Sequence, residues 1–134
     1  MELYKRILLL LDCSNADNRI IKHVLKLAEI HKSKVFLLHV VHSHTLDQNR
    51  FLSEKTDAYM EEKKKLFTAK DIEVETIIIS GEPQKEICSE LEASEYDLIA
   101  MGTHGHGKFF DFLYGSVSDC LKHRTSTPIL LIKA

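Results

Sequence analysis

Five short apolar runs recur along the chain: RILLLLD (6–12), KVFLLHVV (34–41), VETIIIS (74–80), YDLIAMG (96–102) and PILLIKA (128–134). Most are continuous rather than alternating, the pattern of strands covered on both faces. Between them the apolar spacing becomes helical. Ile20, Ile21, Val24, Leu25 and Ala28 share one face of residues 15–31. Leu52, Tyr59 and Leu66 recur through 49–69, with Met60 and Phe67 beside them. Ile87 and Leu91 mark 83–94, which Pro83 opens from the first turn, and Val117, Cys120 and Leu121 mark 116–125. Strands alternating with helices predict an α/β fold, a five-stranded parallel sheet with helices on both faces. Right-handed crossovers make it doubly wound. No repeat, low-complexity stretch or linker interrupts the pattern, so residues 1–134 read as one domain. The loosest segment is HSHTLDQN (42–49), polar and turn-like.

In an open sheet of this kind, ligands sit beyond the carboxyl ends of the strands, where the winding reverses. Asp12 follows the first predicted strand and Gly102 ends the fourth, so the two are expected to be neighbours there. GTHGHGKFFDFLYGS (102–116) begins at that point and holds four of the chain's five glycines. Glycine admits positive φ and lets amide N–H groups approach a ligand with no Cβ in the way. Successive exposed amides make an anion-binding concavity. Ser116 with Asp119 three residues on has the form of a capping box, so a helix N-terminus is expected to point at the same spot. A phosphate chain suits such a place. Glycines that merely shape a loop before a well-capped helix explain the same letters. The stretch is not the dinucleotide fingerprint, because the first strand is followed by DCSNAD without glycine. Nor is it a Walker A loop, since Lys108 lacks the glycine spacing and the following Ser or Thr.

Composition narrows the function classes. The 134 residues suffice for one well-buried core. Apolar content of 44% with 28% charged residues is that of a globular protein. A net charge of −2 provides no basic footprint for nucleic acid. KKK at 63–65 directly follows Glu61 and Glu62, a solvated helix face. The amino-terminal apolar run, Ile7 to Leu11, is too short for a signal peptide or a membrane span, so a cytoplasmic location is expected. Cys13, Cys88 and Cys120 are scattered and odd in number, which argues for a reducing compartment and against a disulfide framework.

His39, His42 and His44 follow one another at the end of the second strand, and His104 and His106 follow the fourth. No Cys or carboxylate joins them at zinc-type spacing, so no metal site is assigned. Ser14 with Asp17 reads as a second capping box rather than a nucleophile and its orienter, and no catalytic residue is assigned. A flavodoxin needs a glycine-containing phosphate loop after the first strand. A receiver domain needs an Asp ending the third, where the chain reads IIISGEP. Both are excluded.

Gly102, two residues, Gly105, nine residues, then Gly115-Ser116 resembles the nucleotide-binding signature of the universal stress protein family. MGTHGHGKFFDFLYGSVSDCLKHRTSTPILLIK resembles that family's carboxyl-terminal third, and KRILLLLD, LLHVV and GEPQKEI resemble its first strand, second strand and third connection. The resemblance implies strand order 3-2-1-4-5, a homodimer, and bound ATP with Mg2+. By the same resemblance Asp12 lies near the phosphate and metal side of the nucleotide, and Val40 offers backbone groups to adenine. Met101, Gly102, His104 and Gly105 line the ribose and phosphates; Gly115, Ser116, Val117 and Ser118 hold the phosphate tail. Cys13 departs from the smaller or different residue that relatives often carry after the acid. The expected function is that of a cytoplasmic, homodimeric regulator gated by ATP, with a slow ATP hydrolase and a nucleotide-free scaffold as alternatives.

Overall fold

The apolar runs become strands and the periodic segments helices in a computed structural model that describes residues 3–41, 46–102 and 126–133. In chain order the elements are β1 (Arg6–Leu10), α1 (Asp17–His31), β2 (Lys34–Val41), α2 (Leu46–Thr68), β3 (Val74–Ser80), α3 (Pro83–Ala93), β4 (Leu98–Gly102) and β5 (Ile129–Ile132). The predicted helix at 116–125 lies outside the described residues. All four strand pairings are parallel, in the order β3-β2-β1-β4-β5. The expected five-stranded, doubly wound sheet is therefore present.

Strand position explains strand composition. β1 lies at the centre, and Ile7 to Leu11 are all buried, which is why the run is apolar without alternation. β3 lies at an edge, and Glu75 and Ser80 reach solvent. Alternate residues of β1 serve different cores. Ile7, Leu9 and Leu11 pack with Ile20, Ile21, Val24 and Ala28 of α1 and with Met60 and Phe67 of α2. Leu8 and Leu10 join Ile87 and Leu91 of α3 on the opposite face. The first two helices thus cover one face and α3 the other, and the winding reverses between β1 and β4.

Three local expectations are corrected. The loop predicted over 42–49 gives way to helix at Leu46; the polar letters of 46–49 carry no apolar periodicity by which a helix could be read from sequence. The first strand stops at Leu10, one residue short of the end of the apolar run at Leu11. Leu11 still donates its N–H to Leu38 O at 2.9 Å, but Cys13 turns the chain aside at φ 62°. Cys88 on α3 is disulfide-bonded, contrary to the expectation that the scattered thiols stay reduced. Sequence spacing does not reveal which cysteine Cα atoms a fold brings within bonding reach.

Candidate functional site

Strand register places the described candidate residues on one rim. Leu10 pairs with Leu38, and Asp12 and Val40 each lie two residues beyond that pair. Leu9 pairs with Ala100, and Gly102 lies two residues beyond Ala100 on the strand next to β1. Asp12 and Gly102 thus fall at the carboxyl ends of adjacent strands, at the point where the winding reverses. His104, Gly105, Gly115, Ser116, Val117 and Ser118 lie outside the described residues.

What these positions can present follows from burial. The side chains of Val40 and Met101 belong to the core on the α3 face, so each offers a ligand only its backbone. In a parallel ladder every second residue directs its N–H and C=O to the same neighbour. Leu38 O accepts from Leu11, so Val40 directs its backbone groups the same way, toward a β1 that has already turned aside. The Leu11 carbonyl is taken by His39, whose Nδ1 donates to it at 2.7 Å. A carbonyl only accepts, so His39 carries its proton on Nδ1. At Gly102 an added Cβ would meet Ile132 O at 3.7 Å, an ordinary contact, so packing among the described residues does not demand glycine there.

The turn that carries Asp12 is tightly bonded. Asp12 Oδ1 accepts the Ser14 N–H at 3.0 Å and its hydroxyl at 2.5 Å. Ser14 Oγ in turn accepts the Ala16 N–H at 3.3 Å. Asp17 does not complete a capping box with the Ser14 N–H, because Asp12 already holds that donor. It reaches further back: its Oδ1 accepts the Asp12 N–H at 3.1 Å and its Oδ2 the Cys13 N–H at 2.9 Å. Oδ2 also accepts the hydroxyl of Tyr59, from α2, at 2.6 Å. Next to this group Lys63 Nζ donates to Asn18 Oδ1 at 3.1 Å and lies 5.0 Å over the Tyr59 ring.

Burial governs the electrostatics. Asp17 is only 3% exposed. Loss of water raises its carboxyl pKa to about 6; the Tyr59 hydroxyl and the Asp12 N–H pull it back, and the Asp12 charge adds to the rise. Burial, and then the bond to Asp17, push the Tyr59 phenol well above its ordinary value, so it stays a donor. By sequence pattern Asp17 is a cap and Tyr59 part of an apolar helix face. The Ser-x-x-Asp spacing was the one visible sign of the first, and nothing local marked the second. Among the described residues no group of three or more His, Cys, Asp or Glu is gathered as a metal site.

The family model for universal stress proteins matches residues 3–133. The chain belongs to the universal stress protein family. It is 26% identical over 155 aligned residues to universal stress protein MJ0577 of Methanocaldococcus jannaschii, covering 98% of this chain and 96% of that protein. The solved structure of MJ0577 matches with a TM-score of 0.76 at 30% identity, over 98% of this chain and 97% of the other. A universal stress protein solved in complex with cAMP shares the fold at a TM-score of 0.71 and 18% identity, over 98% of both chains. So does a family member from Archaeoglobus fulgidus solved with dAMP, at a TM-score of 0.64 and 16% identity, over 98% of this chain and 99% of the other. Within the family's fold, Asp12, Val40 and Gly102 of this chain all fall at the carboxyl ends of β1, β2 and β4.

Proposed function

We propose that the protein binds ATP, with Mg2+ on its phosphates, at this rim and works as a homodimeric regulator whose state follows the nucleotide. The carrying observation is the lane that β1 vacates. It ends at Leu10, and Val40 directs a donor and an acceptor of the backbone across the gap. An adenine edge presents the matching acceptor and donor, and a strand-like pair of bonds recognises it without any polar side chain. Asp12 and Gly102 fall at the neighbouring strand ends, and the glycine spacing that continues in sequence to Gly105, Gly115 and Ser116 supports a phosphate site there. The cAMP and dAMP held by the two relatives both carry adenine, which supports the base as the shared element. Met101, being fully buried, contributes backbone only, and His104, Val117 and Ser118 complete the reading at the phosphate side.

Mg2+ would neutralise phosphate charge there. The chain's own part is to hold the base and leave room for the phosphates. The protein is read as cytoplasmic, and among the described residues no helix is long and apolar enough to cross a membrane. Self-association is assigned to β5, an edge strand whose Leu131 is 40% exposed.

ATP titrated into the parent protein, Gly105→Val and Gly115→Val tests the site, with circular dichroism to confirm folding. If phosphates rest on bare amides, Gly115→Val weakens binding at least tenfold, about 1.4 kcal/mol. Equal binding by all three folded proteins would mean that the glycines serve the loop alone.

A further inference from the structure

We propose that Asp17 and Tyr59 form a two-residue brace that positions Asp12 for the ligand, placing the α2 helix in direct control of the site. This rests on the reading of the rim as a nucleotide site. Asp17 is too buried to touch a nucleotide, so any influence it has passes through the turn. Its carboxylate takes the N–H groups of two consecutive residues, Asp12 and Cys13, one on each oxygen. Those bonds hold Cys13 at φ 62°, a left-handed conformation that a residue with a Cβ keeps only when its surroundings impose it.

The same turn aims the Asp12 side chain, whose Oδ1 is pinned by Ser14. Tyr59 locks the carboxylate in turn: its hydroxyl shares Oδ2 with the Cys13 N–H and so opposes rotation of the group. Tyr59 stands on α2, 42 residues away in sequence, with its ring beneath the Lys63 ammonium. A displacement of α2 therefore reaches the Asp12 turn through the Tyr59 hydroxyl, chiefly by way of the Asp17 carboxylate at 2.6 Å and more weakly by the Ser14 carbonyl at 3.4 Å. Neither Asp17 nor Tyr59 touches the ligand, and both are positioning residues.

Two conservative variants of the full chain test the brace. Asp17→Asn keeps the shape but loses acceptor capacity. Tyr59→Phe keeps the ring and loses the hydroxyl. ATP affinity is read by calorimetry on folded protein, and amide hydrogen exchange at Asp12 and Cys13 by NMR. Each variant is expected to bind ATP three- to tenfold more weakly. The Asp12 and Cys13 amides should exchange at least tenfold faster while core amides such as that of Leu37 keep their protection. The double variant should be no weaker than the poorer single one, because the two residues act as a unit.

A merely structural role lowers the melting temperature and moves neither quantity. Unchanged affinity with unchanged local exchange in both folded variants would overturn the inference, and if Asp17→Asn does not fold, Tyr59→Phe decides alone. Failure of the parent to bind ATP refutes the nucleotide reading and with it the ligand role of the brace. The exchange rates still show separately whether Asp17 and Tyr59 order the turn.

Discussion

Replacing Asp17 with asparagine should change how the stability of this fold responds to pH. The perturbation removes one buried ionisable group and little volume. In the folded chain the Asp17 carboxyl titrates near 6, against an ordinary value of 3.8, chiefly because burial penalises the charge. The folded state therefore holds the proton more tightly than the unfolded one. Its stabilising contribution is complete below the unfolded value and is lost as pH rises through about 6. Between pH 7.5, where both states are ionised, and pH 4.5, where only the folded carboxyl is protonated, the gain covers about 1.5 pH units. At about 1.36 kcal/mol per unit that is roughly 2 kcal/mol.

Asp12, Cys13 and Tyr59 face the group through its three hydrogen bonds, and the asparagine leaves these neighbours in place. Urea unfolding of parent and variant at the two pH values reads the gain directly. The parent should gain about 2 kcal/mol relative to Asp17→Asn on acidification. A difference that stays constant within about 0.5 kcal/mol would show that Asp17 does not carry a raised pKa, and the account of a costly buried charge would be wrong. The sign also fits its proposed use. Above pH 6 the ionised group costs stability, and it is in that form that it accepts three hydrogen bonds and braces the turn.

Three further outcomes are expected. Gly81→Ala should destabilise the fold by about 1 kcal/mol or more, because φ is 153° there, a conformation strained for any residue with a Cβ, even though the Glu86 carboxylate can swing aside; thermal unfolding checks it. Phe67→Ala should cost about 3–5 kcal/mol in urea unfolding, since the ring is fully buried between α2 and the sheet. The parent should scatter light as a dimer and Leu131→Pro as a monomer, because proline removes a ladder donor or strains the edge strand; a monomeric parent would refute the β5 contact.

Much of this architecture is local in origin, and so it could be read from the chain. Continuous apolar runs such as Ile7 to Leu11 announce strands covered twice, and the 3.6-residue spacing of Ile20, Ile21, Val24 and Ala28 announces the helix that covers one side. Alternation of the two dictates a parallel sheet, handedness dictates the winding, and the glycine spacing with its flanks carries the family. Each of these depends on neighbours within a few residues. The brace does not. Nothing within α1 says that Asp17 reaches past Ser14, because that choice depends on Asp12 having taken the Ser14 N–H first. Nothing within α2 marks Tyr59 as polar in role, because its partner lies 42 residues earlier. The disulfide at Cys88 and the turning aside of β1 at Cys13 belong with it. Hydrophobic period specifies which face of an element is buried, whereas a hydrogen bond between elements depends on the register at which those faces settle, and only packing of the whole chain decides that register.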